Sequence, residues 1–171
     1  MKQLSLFNFA PDQKNAPASS NAAHWKLWVD GAARKNPGPA GAGIVIAKRG
    51  KVIQKNGFYL GPRTNNQAEY FAVLLGLFLL KKRIQPDDIV TIISDSQLLV
   101  RQFKGEYKIK HPELKPLHRV AQELLRGMHY IFEHVMREDN TKADYMANQG
   151  IDERIAMPEE FKKLLKQHDI D

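Results

Sequence analysis

"WKLWVDGAARKNPGPAG", residues 25–41, opens as a strand and closes as a polar turn. Trp25, Leu27 and Val29 alternate with Lys26, Trp28 and Asp30, the two-residue period of a half-buried strand. The prolines and glycines that follow then bend the chain. Asp30 stands at the junction, a carboxylate at the mouth of a buried strand. Alone, an Asp-Gly pair is turn punctuation, because aspartate bonds its own backbone and glycine accepts positive φ. What Asp30 does therefore depends on what the rest of the chain sets beside it.

Two more strands follow, "GAGIVIAKRG" at 41–50 and "KVIQKNGFYL" at 51–60, joined by a tight turn near Arg49-Gly50, so the three form an antiparallel meander. The apolar pattern then predicts a helix from about Gln67 to Arg83. "IVTIISD", residues 89–95, is a continuous β-branched run, the mark of a strand covered on both faces. Helices are expected near Ser96–Phe103 and Glu113–Met128, then a strand "YIFEHVM" at 130–136, a helix from about Lys142, and an amphipathic helix opened by Pro158. This order predicts an α/β fold, a mixed sheet flanked by helices on both faces, with sites at the carboxyl ends of its strands. Asp30 and Asp95 both fall there. Residues 8–23, "NFAPDQKNAPASSNAA", have the composition of a flexible linker. The expected division is a tail at 1–23, a folded domain at 24–150 and a helical extension at 151–171.

The formal charge of +7 and a pI near 9.6 favour a polyanionic partner. From Arg101 to Arg119 six Lys or Arg residues outnumber Glu106 and Glu113, with Tyr107 among them. There is no cysteine, which excludes disulfides and thiolate metal sites, so any metal must sit on oxygen or imidazole. The apolar run Tyr70–Leu80 is too short to cross a bilayer, and the opening "MKQLSLFNFA" lacks a signal-peptide core. A cytoplasmic, monomeric protein without membrane contact is expected.

Four carboxylates carry the chemistry, and each has a local explanation. Asp95 precedes a helix and reads as an N-cap. Glu69 lies three residues after Asn66, and Asp144 three after Thr141, both close to a capping-box spacing. Together they suggest more: if the strands ending in Asp30 and Asp95 are parallel neighbours, their carboxylates converge, with Glu69 and Asp144 brought in by helices. Four such groups would repel one another unless cations held them. Oxygen-only ligation points to Mg²⁺ or Mn²⁺, and a pair of such ions suits in-line phosphoryl displacement.

"VDGAARKNPGPAGAGIVI", "TNNQAEYFAVLLGL", "ISDSQLLVRQFKGEYKIK" and "REDNTKADYMAN" resemble the four signature blocks of type 1 ribonuclease H, over about residues 25–150. The resemblance implies a five-stranded mixed sheet in which Asp30, Glu69, Asp95 and Asp144 bind two Mg²⁺ ions. It implies cleavage of the RNA strand of an RNA–DNA hybrid, leaving 5′-phosphate and 3′-hydroxyl ends. By the same resemblance Asn36, Asn65, Asn66 and Gln97 touch the hybrid, and amides suit a 2′-hydroxyl because they both donate and accept. Asn140 and Thr64 are expected to help place a phosphate or the metal cluster. Locally, Asn36 also reads as a turn residue and Asn65 and Asn66 as helix caps.

Two features depart from the longer bacterial members. Their basic, Trp-bearing handle is missing, since only "KGEYKIKHPELKP" stands in its place, leaving substrate grip to Lys104, Lys108, Lys110 and Lys115. The loop before the fourth acid, "VMREDN", lacks the usual histidine; Glu138 or solvent could substitute, while His134 in the preceding strand reads as structural.

"QLSLF", residues 3–7, resembles the short peptide with which bacterial proteins dock on the replicative sliding clamp. Leu4, Leu6 and Phe7 would fill an apolar pocket with Gln3 at its polar rim. The 16-residue linker would span roughly 20–25 Å root-mean-square. Two other readings stand beside the hybrid nuclease: a DNA-directed nuclease or resolvase of the same fold, and a catalytically silent hybrid-binding module.

Overall fold

The computed structural model describes residues 21–171, so the peptide at 3–7 and most of the linker lie outside the described residues. β1 (His24–Ala33), β2 (Gly38–Lys48) and β3 (Lys51–Arg63) form the antiparallel meander. The β2–β3 turn places Arg49 and Gly50 at φ 51° and 81°, the left-handed pair that matches strand twist in a two-residue hairpin. Then come α1 (Asn65–Lys81), β4 (Ile89–Ser94), α2 (Gln97–Phe103), α3 (Leu114–Leu125), β5 (His129–His134), α4 (Thr141–Asp152) and α5 (Glu159–Gln167). The five-stranded sheet has the order β3-β2-β1-β4-β5, with β4 parallel to both β1 and β5. The sheet is the expected mixed one, with the two acid-bearing strands adjacent and parallel.

Several local expectations shift. β1 does not end at Asp30 but continues to Ala33, because Asp30, Gly31 and Ala32 still pair with Gly43, Ala42 and Gly41. α1 starts at Asn65, two residues early, since Thr64 rather than Asn65 or Asn66 is its cap. Thr64 and Gln67 form the capping box, at 3.1 Å from the Gln67 N–H and 2.9 Å from the Thr64 N–H. Ser96, not Asp95, caps α2. Asn140 precedes α4 without a side-chain capping bond, and Thr141 is already helical. Glu69 and Asp95 are thus released from the capping roles their spacing suggested.

The core lies between the sheet and α1, with α3 packed on α1. Trp25, Leu27, Val29, Ile44 and Ile46 share one cluster with Phe71, Leu74, Leu75 and Val120, all shielded from solvent. Phe161 of α5 belongs to the same cluster and packs edge-on against Phe78 at 5.4 Å. Asp88 pins the start of the sheet, accepting from Ala23 N–H at 2.7 Å, Trp25 Nε1–H at 2.8 Å and Gln85 N–H at 3.0 Å. Burial pushes its carboxyl up, but these donors and Lys48 outweigh that and hold it below the usual carboxylate range. Among the described residues no helix is long and apolar enough to cross a membrane.

α4 covers the opposite face of the meander at very short range. A Cβ on Gly43 would lie 1.9 Å from the Ala143 carbonyl oxygen, one on Gly41 2.2 Å from that of Ala147, and one on Gly57 2.0 Å from that of Met146. Backbone cannot yield as a flexible side chain can, so any larger residue must lift the helix. Gly43→Ala is therefore expected to cost about 1–3 kcal/mol in urea unfolding. An unchanged midpoint would mean that α4 does not lie so close.

Candidate active site

The parallel β1–β4 pair sets two carboxylates side by side. Asp30 lies within β1 and is buried, whereas Asp95 follows the last residue of β4, with its side chain about 10% exposed. Glu69 arrives from the second turn of α1, on the other face of the sheet. It reaches through because Gly31 has no side chain: a Cβ there would sit 2.2 Å from the Glu69 nitrogen. The Gly31 N–H donates to Glu69 Oε2 at 3.1 Å. Asp30, Glu69 and Asp95 each offer one oxygen, and these oxygens all lie within 4.8 Å of one another.

Asp144 stands outside that trio, exposed in the first turn of α4, yet its carboxyl lies near enough to Asp30 to help raise it. Its carboxylate also accepts from Asn148 Nδ2 at 3.4 Å. α4 is anchored at its far end by Arg34, which pairs with Asp152 at 2.7 Å and donates to Asn148 Oδ1 at 3.3 Å.

Three crowded carboxylates cannot all ionise cheaply. Burial, then the charge of Asp95 and the contact with Asp144, push Asp30 up to about 8. Burial and the charges of Asp30 and Asp95 drive Glu69 well above the usual carboxylate range, against the opposing bond from Gly31. The arrangement fits hard divalent cations: its donors are all oxygen, their oxygens are within reach of a shared ion, and a positive charge there would relieve the repulsion that keeps the acids protonated.

The other residues singled out by the sequence fall into four groups. Asn36 Oδ1 accepts the Asn65 N–H at 3.0 Å, tying the β1–β2 turn to the start of α1. Asn66 lines a crevice beside Glu69 with Ser96 and Leu98, and Gln97 is exposed as the first residue of α2. Asn140 is buried; its Nδ2 donates to Val29 O at 3.0 Å and to Asp95 Oδ1 at 3.4 Å, while its Oδ1 has no partner among the described residues. Lys104, Lys108 and Lys110 are exposed beyond α2, where the Arg101 guanidinium lies 5.1 Å over the Tyr107 ring.

Two residues around Asp95 were not assigned a site role from sequence. Arg137, in the short 3-10 turn after β5, places Nε 3.7 Å from Asp95 Oδ2. His134, expected to be structural, donates through Nε2 to the Asp95 carbonyl at 3.2 Å. A signal existed in "REDN", where Arg137 is the one cation in an acidic loop next to Asn140. Glu138, the expected substitute for the histidine, is exposed in that turn.

Residues 28–150 match the family described as reverse transcriptase-like. A bifunctional protein of Mycobacterium tuberculosis is 38% identical over 134 residues, covering 72% of this chain but only 34% of that protein, so the chain spans about a third of that relative's length. The structure of RNase H1 from Halobacterium salinarum superposes with a TM-score of 0.72 at 34% identity, covering 76% of this chain and 98% of that one. LC11-RNase H1 in complex with an RNA/DNA hybrid gives a TM-score of 0.70 at 36% identity, covering 75% and 97%.

The raised carboxyl of Asp30 has a thermodynamic consequence. A group whose folded-state pKa exceeds its unfolded value favours the folded state fully below that unfolded value, 3.8 here, and the contribution fades as pH rises towards about 8. The metal-free protein is expected to lose urea stability between pH 5 and pH 8, and Asp30→Asn to flatten that decline. A profile equally steep in the variant would remove Asp30 as its source.

Proposed function

Since the chain belongs to the ribonuclease H family and is homologous to its type 1 members, we propose that it is an endonuclease hydrolysing the RNA strand of RNA–DNA hybrids. The observation that carries the reading is the convergence of Asp30, Glu69 and Asp95 oxygens within 4.8 Å, with Asp144 on Asp30. Asp30, Glu69, Asp95 and Asp144 would hold two Mg²⁺ ions, Mn²⁺ serving as well. When bound, such ions supply activation of a water and stabilisation of the leaving oxygen in an in-line displacement.

The protein's own groups do the rest. Asn140 fixes Asp95 against the β1 backbone, so this ligand keeps its orientation while charge develops. Asn36, Asn65, Asn66, Gln97 and Thr64 line the approach from the α1 side and present amide or hydroxyl groups for strand recognition. Lys104, Lys108 and Lys110 carry positive charge for the phosphate backbone, in place of a separate handle. Attack of water at phosphorus breaks the bond to the 3′-oxygen, which leaves as a hydroxyl, and the downstream fragment keeps a 5′-phosphate.

The test uses labelled RNA–DNA hybrid, duplex DNA and duplex RNA with Mg²⁺ or Mn²⁺. Cleavage confined to the hybrid, lowered at least about a hundredfold by Asp95→Asn, is expected, on the scale of losing one transition-state stabiliser. Cut DNA would move the assignment to a DNA-directed nuclease, and tight hybrid binding without cleavage to a silent binding module. Residues 3–7 would tether this activity to a sliding clamp, raising its local concentration at replicating DNA. Removing residues 1–8 should abolish clamp pull-down while sparing cleavage of short hybrids; undiminished pull-down would end that part of the reading.

A further inference from the structure

Asp95 is gripped at three atoms by one short segment, residues 134–140. His134 Nε2 holds its carbonyl at 3.2 Å, Asn140 Nδ2 its Oδ1 at 3.4 Å, and Arg137 Nε approaches Oδ2 at 3.7 Å. The three contacts differ in freedom. Asn140 is buried and bonded to Val29 O, so the Asp95 carboxylate cannot swing away from it without stranding an amide. The Arg137 side chain is 90% exposed, and among the described residues it reaches the acidic centre through this ion pair. A guanidinium and a divalent cation cannot share one carboxylate oxygen at close range without strong repulsion. Since Asp95 is fixed and Arg137 is not, it is the guanidinium that must leave.

We propose that Arg137 is an internal competitor for cations at Asp95: its guanidinium balances part of the acidic centre's charge and must be displaced before a divalent ion engages that carboxylate. The arginine thereby raises the metal concentration at which the site fills, and its five donors are released towards the substrate side when it does. This inference rests on the reading of the acids as a metal site. Its size follows from the pair, for an exposed ion pair is worth about 0–1 kcal/mol. Removing it should tighten cation binding by up to about fivefold, since 1.4 kcal/mol corresponds to tenfold.

The experiment is calorimetric titration of Mn²⁺ into the full chain without nucleic acid, comparing wild type with Arg137→Gln and Arg137→Lys. The glutamine variant is expected to bind two- to fivefold more tightly, and the lysine variant, which keeps the charge, to stay nearer wild type. Raising the salt concentration should narrow the gap between wild type and glutamine, because the exposed pair is screened. A merely structural role for Arg137 predicts weaker or unchanged binding in the glutamine variant, and either result overturns the proposal while leaving the metal site standing. No binding by any of the three proteins would instead overturn the metal site itself.

Discussion

Two glycines beside Asp30 set how closely the helices approach the sheet, and the acidic centre depends on that approach. Gly31, next in the chain, lets the backbone of α1 at Ala68 and Glu69 come down on one face. Gly43, directly opposite in β2, lets α4 come down at Ala143 on the other. With a Cβ at either place a helix would stand further off, and Glu69 or Asp144 would withdraw from Asp30. Tight packing therefore assembles a cluster of like charges that solvent and Coulomb repulsion would otherwise disperse. The apolar core between the sheet and α1, extended by α3, supplies the stability that lets the fold carry it.

Electrostatic strain and function are the same feature seen from two sides. Burial and crowding raise Asp30 and Glu69, so the acids alone hold protons at pH values where isolated carboxyls have lost them. A cation would reverse that balance, and the segment from His134 to Asn140 contacts the carboxylate of the centre that lies at the end of β4. Asn140 and His134 fix Asp95 in place, while Arg137 offers it a removable positive charge. The loop between β5 and α4 thus sets its cationic residue against a carboxylate of the acidic centre.

Much was legible in the chain because its signals are local. Alternation in residues 25–29 and the turn at Arg49-Gly50 mark the meander, and the β-branched run 89–94 marks a central strand. The signature blocks identified which acids to follow. Helix starts were less legible, since Thr, Asn and Ser compete for the same capping position and only the backbone bonds made by Thr64 and Ser96 decide among them. The "REDN" stretch marks Arg137 as a lone cation but does not identify its partner, because Asp95 lies 42 residues earlier and meets it only across the β4–β5 pair.

By itself, then, the sequence determined the kinds and order of the elements, the oxygen-only donor set and the family, because periodicity, composition and motif are properties of neighbouring residues. Tertiary structure alone decided that Asp30, Glu69 and Asp95 share a space under 5 Å, that Asp144 joins through Asp30, and that Arg137 and His134 address Asp95. Those relations arise from parallel strand pairing and from glycine-permitted helix approach, contacts between residues far apart in the chain.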